Sequence, residues 1–181
     1  MFRSIVVFAI FLLGLAYCND DCLLPKDSGT GASPSQKFYF DGDWGACMMF
    51  KYNGKGGNKN RFISLDDCQS NCRRQMDSMC SGPGENQAPA AEQKIAMCYP
   101  TTCPKGFKCI LGEVPECCKQ EYYDAVKQAH AEKCSDGSKA DGFMQDYFRA
   151  HYAKSCKDLI CGSKQKCIQV NKFFAKCCGT K

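Results

Sequence analysis

The chain has 181 residues, 17 of them cysteine, and a formal net charge of +5. That length allows one ordinary domain or several small ones, and the cysteine density is close to that of a disulfide scaffold. The positive excess is dilute: eight basic against eight acidic side chains over 19–77, and 15 against 11 over 78–181. It excludes a nucleic-acid surface and leaves a mixed, solvated one.

The first element is a leader. Arg3 precedes the apolar run "SIVVFAIFLLGLA" at 4–16, with small residues at Gly14 and Ala16. This reads as a secretory signal peptide over 1–18, since 13 residues are too few to cross a bilayer. Cleavage after Ala16 or after Cys18 fits. Cleavage after Cys18 leaves 16 cysteines, an even number suited to a secreted, fully bonded chain. No second apolar run follows, so the expectation is a secreted, extracellular protein without a membrane span. An oxidising compartment makes disulfides the default over metal ligation. His130 and His151 stand outside any zinc-ligand spacing, so neither a metal nor a cofactor is expected.

The next stretch, "DSGTGASPSQ" at 27–36, is small, polar and cysteine-free within the 24-residue gap between Cys22 and Cys47. After it, "KFYFDGDWGACMMFKYN" predicts two strands, with Phe38 and Phe40 alternating against Lys37, Tyr39 and Asp41, and Asp41-Gly42 as the hairpin signal. "SLDDCQSNC" predicts a helix with Ser64 as its cap and Asp67 at capping-box spacing. Cys68 and Cys72, four apart, share a face of that helix.

These residues resemble the Kunitz (pancreatic trypsin inhibitor) family, without a gap over 22–72. The family's first, third, fifth and sixth cysteines match Cys22, Cys47, Cys68 and Cys72. Its aromatics match Phe38, Tyr39, Phe40, Phe50, Tyr52 and Phe62, its glycines Gly29, Gly45 and Gly54, and its buried asparagine Asn60. The resemblance implies a twisted hairpin with a C-terminal helix over 19–77. It also implies Cys22–Cys72 and Cys47–Cys68 bonds. The first of these closes about 50 residues and is worth roughly 4 kcal/mol on a loop-entropy estimate.

The family's second and fourth cysteines are replaced by Gly31 and Lys55. The bond that ties the family's protease-binding loop is therefore absent. On the resemblance, the loop is Gly29, Thr30, Gly31, Ala32, Ser33 and Pro34, and Ala32 takes the specificity position. An untied, glycine-containing loop costs more to order on binding. Ala32 brings little anchor area, roughly 1 kcal/mol for a buried methyl, and cannot pair with an acidic pocket.

The remaining twelve cysteines form one unit written twice: Cys80, Cys98, Cys103, Cys109, Cys117 and Cys118, then Cys134, Cys156, Cys161, Cys167, Cys177 and Cys178. Both copies run C-x4-C-x5-C and end in a vicinal pair, so a duplication is expected, with repeats over 78–118 and 134–181. Each repeat is too small for much core and needs its disulfides; six cysteines leave 15 pairings open. "CPKGFKC" with the terminal "CC" is similar to the lustrin-type cysteine-rich repeat, while the second copy, "CGSKQKC", departs from it. Between the copies, Tyr122, Val126 and His130 at helical spacing predict a short surface helix linking them over 119–133. "GPGENQAPAAEQ" at 82–93 reads as a loop. The aromatic stripe Phe143, Tyr147, Phe148 and Tyr152 is expected to pack on the second repeat's disulfides.

The fold class is thus small, disulfide-rich α+β: a Kunitz-like domain followed by two six-cysteine repeat modules. No nucleophile–base arrangement supports an enzyme. The function expected is a secreted Kunitz-type serine protease inhibitor-like protein of weakened activity, its partner an extracellular, elastase-like serine protease. The alternative is a non-inhibitory extracellular structural or interaction protein that presents the Kunitz module to a matrix or cell-surface partner. A channel- or receptor-directed Kunitz ligand is a third use of the family.

Overall fold

A computed structural model describes residues 20–72, 79–88, 98, 103–112 and 114–179. The expected leader and both of its cleavage positions lie outside these residues, and the 82–93 loop is described through Ala88.

A 3-10 turn, Asp20–Leu23, leads into β1 (Ser35–Asp41) and β2 (Ala46–Tyr52), which pair antiparallel with Phe38 opposite Met49 and Phe40 opposite Cys47. The turn between them spans four residues, and Gly45, not Gly42, takes the left-handed conformation at φ 60°. Asp41 shapes it by accepting a hydrogen bond from the Trp44 amide at 3.2 Å. Helix α1 (Leu65–Asn71) begins at Ser64, whose hydroxyl accepts from the Asp67 amide at 3.0 Å. Cys22–Cys72 and Cys47–Cys68 are both bonded.

Successive strand residues point to opposite faces, and here both faces are covered. Phe38, Phe40 and Met49 lie in one core cluster with Phe62 and Leu65, together with Ala153, Leu159 and Ala175 from far along the chain. Tyr39, Met48 and Phe50 lie in a second cluster with Trp44, Tyr122, Ala125, Ala129, Tyr152 and Phe174. Asn60, fully buried, accepts from the Phe40 amide at 2.8 Å and donates to the carbonyls of Phe40 (2.8 Å) and Leu24 (2.7 Å).

Among the described residues, the rest of the chain is built on three further two-stranded sheets: β3 (Phe107–Ile110) with β4 (Glu116–Lys119), β5 (Gly142–Met144) with β6 (Phe148–Ala150), and β7 (Gln165–Gln169) with β8 (Ala175–Gly179). Isolated two-stranded sheets are marginal in water; disulfides brace two of these. Residues 80–118 pair Cys80–Cys118, Cys98–Cys109 and Cys103–Cys117. Residues 134–178 pair Cys134–Cys178, Cys156–Cys167 and Cys161–Cys177. In both sets the order is first to sixth, second to fourth, third to fifth. The vicinal pairs explain part of it. Cys117 and Cys118 sit side by side on β4, as Cys177 and Cys178 do on β8, so each pair points to opposite faces and serves two different partners.

Helix α2 (Gln120–His130) lies within the expected 119–133 and has one face exposed at Glu121, Asp124, Lys127 and Gln128, while Tyr122, Ala125 and Ala129 on the other face are buried in the core cluster it shares with the hairpin. Two alanines let the helix approach closely, and they carry a weak periodic signal. Lys176, wholly buried, ends this helix by donating from Nζ to the carbonyls of Gln128 (3.0 Å), Ala131 (2.7 Å) and Lys133 (3.4 Å), where a cation also meets the negative end of the helix dipole. The aromatic stripe divides. Phe143 packs against the cluster containing Cys177, Tyr152 stacks edge-on to Phe174 at 5.4 Å on the hairpin side, and Tyr147 stays exposed.

The two halves of the chain are joined by more than apolar contact. The Met49 amide donates to the Tyr152 carbonyl at 2.8 Å and the Gly82 amide to the Asp43 carbonyl at 2.9 Å. Lys154 reaches the buried Asp41 carboxylate at 2.6 Å, and Arg149 reaches Asp66 at 2.5 Å.

Candidate functional site: the 29–34 loop

Residues 27–36 leave the turn at Cys22 and run to β1 across the end of the hairpin. An Asx turn opens the segment, with the Gly29 amide donating to Asp27 Oδ1 at 2.8 Å. Thr30 and Lys55 then exchange both backbone hydrogen bonds, at 2.7 and 2.8 Å, as a closed antiparallel pair. The Ser33 amide donates to the Asn53 carbonyl at 3.3 Å, and the Asn53 amide to the Ser28 carbonyl at 2.9 Å. The Asn53 side chain adds a bond to the Gly29 carbonyl at 3.1 Å.

The segment without a disulfide is therefore clamped by backbone pairing beside the positions where the bond is missing. Glycine is what permits the approach. At Gly29, φ is 61° and a Cβ would lie 2.3 Å from the Lys55 carbonyl oxygen; at Gly31, φ is 110° and a Cβ would lie 2.8 Å from the Asn53 carbonyl oxygen. Both distances are closer than a side chain tolerates, and both conformations favour glycine.

Thr30, Gly31, Ala32, Ser33 and Pro34 are all exposed, and Gly29 is half-buried. The loop thus presents an exposed run of small residues with Ala32 at its centre. Behind it, the Arg61 guanidinium lies 4.1 Å from the centre of the Tyr52 ring and donates to the Gly56 carbonyl at 2.8 Å, while the Tyr52 hydroxyl donates to the same carbonyl at 2.8 Å. That stack stiffens the 53–57 segment to which the loop is bonded.

Among the described residues, the groups suited to other chemistry are engaged with one another. The eight disulfides occupy every described cysteine. Cys80, Glu116 and Cys118 place three potential metal donors together, but the two sulfurs are bonded to each other. His151 Nδ1 lies 3.0 Å from Asp141 Oδ2, which holds that carboxyl below its ordinary range. His130 Nε2 lies 3.1 Å from the Tyr152 hydroxyl; burial, then the Lys176 charge, lowers its pKa. Burial raises the Tyr152 phenol and lowers Lys176 to about 8. These contacts lie within the C-terminal half, tying α2, the 141–152 segment and β8 to one another.

The loop's partners were only partly legible in the sequence. Asn53-Gly54 is a turn signal that marks the end of β2, and nothing more is needed to locate the strand end facing the loop. The contacts of Lys26 and Gln36 with Asp158, 132 and 122 residues away, carry no local signal.

The sequence is similar to known proteins. The Kunitz/bovine pancreatic trypsin inhibitor domain model matches residues 21–73. The major allergen Ani s 1 of Anisakis simplex is 29% identical over 190 residues, covering 94% of this chain and 95% of its own. A Kunitz-type serine protease inhibitor of Lychas mucronatus, LmKTT-1b, is 33% identical over 70 residues, 38% of this chain and 88% of its own. Conkunitzin-B1 of Conus bullatus is 45% identical over 51 residues, 28% of this chain and 58% of its own.

Proposed function

The chain belongs to the Kunitz/bovine pancreatic trypsin inhibitor family through residues 21–73, and from that premise we propose that it is a secreted, serine-protease-inhibitor-like protein whose 29–34 loop presents Ala32 to a small apolar specificity pocket. The observation that carries the reading is the clamp at the loop's base. Thr30 and Lys55 bond reciprocally through their backbones, while Ala32 stays exposed. A loop held in one conformation has less ordering entropy to lose on binding, so a missing disulfide does not by itself abolish inhibition. A methyl fills a small pocket and leaves a deep or acidic one unsatisfied, and for this reason we take an elastase-like enzyme as the preferred target.

We further read residues 78–118 and 134–181 as two copies of one module joined by α2, on the strength of their shared bonding order, and residues 1–18 as the leader of an extracellular protein. The test is to titrate the oxidised chain against elastase-, chymotrypsin- and trypsin-type proteases. Inhibition of the first at micromolar protein or below, with trypsin-type enzymes unaffected, is the expected result. No inhibition of any of the three overturns the reading and leaves the non-inhibitory scaffold.

A further inference from the structure

The segment Asp158–Ile160 is remote from the loop in sequence, yet it touches the chain on both sides of it. On the incoming side, three residues before Gly29, Lys26 Nζ donates to Asp158 Oδ1 at 2.6 Å. On the outgoing side, two residues after Pro34, the carboxamide of Gln36 bonds twice: Nε2 donates to the Asp158 carbonyl at 3.0 Å, and Oε1 accepts from the Ile160 amide at 2.7 Å. Gln36 thus meets the backbone at 158 and 160 much as a neighbouring strand's peptide would.

The segment is a firm support. Asp158 is 8% exposed, and its second carboxylate oxygen accepts from the Ser155 hydroxyl at 3.1 Å. Leu159 is buried in the cluster with Phe38 and Phe40. Cys156 and Cys161 bracket it and are bonded to Cys167 and Cys177. A charge-assisted bond to a carboxylate this buried is stronger than a surface ion pair, and unpairing it leaves a desolvated charge.

We propose that Asp158–Ile160 is a strut that fixes the spacing of the loop's two flanks, supplying from the second cysteine-rich unit the preorganisation that the Gly31 and Lys55 positions do not supply through a disulfide. Gln36 and Asp158 are positioning residues: they act through the loop's flanks and not on a protease directly. The proposal rests on reading 29–34 as the binding loop, and its principal test needs no protease.

That test is amide hydrogen exchange on the full, oxidised chain, comparing wild type with Gln36→Ala and, separately, Asp158→Asn. In both variants the Thr30 and Lys55 amides should exchange at least about tenfold faster, as local opening becomes easier. The Met49 amide, bonded to Tyr152 across the join, should keep its wild-type rate. Unchanged protection at Thr30 and Lys55 overturns the strut. So does equal acceleration at Met49, which means the halves have merely come apart. A second arm uses an elastase-type protease, against which Gln36→Ala should bind about tenfold more weakly and be cut faster between Ala32 and Ser33. If wild type inhibits nothing, the inhibitor reading falls while the exchange result still decides the strut.

Discussion

A Cβ built on Gly31 lies 3.4 Å from the Cβ of Lys55, at the short edge of the spacing found in disulfides. The two positions are near enough for a bond, yet Gly31 holds φ 110° and its Cβ direction is blocked by the Asn53 carbonyl. A cysteine at 31 must rotate to negative φ, disturbing the pairing of Thr30 with Lys55. We expect oxidised Gly31→Cys/Lys55→Cys to form the bond. Its stability over the double-serine control should fall short of the roughly 3 kcal/mol that loop entropy alone suggests. Denaturant unfolding of the two variants measures this; a full 3 kcal/mol gain means the loop relaxes without strain. Inhibition of an elastase-type enzyme should strengthen if loop order limits binding, and an unchanged inhibition constant shows that the backbone clamp already suffices.

Ala32 is exposed and its side chain can be lengthened without displacing a neighbour. Ala32→Arg should change stability by less than about 0.5 kcal/mol, while moving inhibition from elastase-type to trypsin-type enzymes. Parallel titrations check the exchange of targets, and an Arg variant inert towards trypsin removes Ala32 from the specificity position.

Asn60 satisfies three backbone groups from a fully buried site. Asn60→Ala strands them without partners, and the expected loss is about 2–4 kcal/mol. Equilibrium unfolding reads it directly. A loss under 1 kcal/mol would mean that water replaces the carboxamide.

Trp44 is the single tryptophan, and its ring lies 4.5 Å from Phe174 and 5.5 Å from Tyr122. Its emission therefore reports on the join between hairpin and C-terminal half. Phe174→Ala should cost about 3–5 kcal/mol, as truncation of buried aromatics does, and shift the emission to the red. Loss of stability with unshifted emission would place the damage elsewhere.

The pH dependence follows from His130. Its folded pKa lies below the ordinary 6.5 because burial, and then Lys176, disfavour the charged ring. As pH falls through 6.5, the unfolded chain takes up a proton that the folded chain refuses, so stability declines below that point. Asp141, held below its ordinary 3.8, loses its contribution only in more acidic solution, which separates the two slopes. His130→Gln should flatten the profile between pH 7 and 5, and a slope identical to wild type assigns the effect to another group.

Local chemistry made the N-terminal part legible. Alternation over 37–41, the Ser64 cap and the spacing of Cys68 and Cys72 all act within a few residues, and the hairpin and α1 form where they act. The loop's backbone clamp was not visible, because a cysteine count records only covalent ties. The cover on the second face of the hairpin was also missed, although "CMMF" in β2 held a hint. A strand solvated on one side alternates, and an unbroken apolar run with both sides buried does not. Its cover came from Ala125 and Ala129, whose small side chains contribute little to any periodic pattern, and from Phe174, more than a hundred residues on.

The sharing of core between hairpin and C-terminal half has a consequence for synthesis. Met48 and Phe50 are made early, but Tyr122, Tyr152 and Phe174, which cover them, emerge up to some 120 residues later. At ribosomal speeds of about 5–20 residues per second, a nascent chain carries that apolar strand face bare for roughly ten seconds. Its two N-terminal disulfides can close in that interval, and a chaperone, or a misplaced neighbour, then meets a bonded but half-covered head.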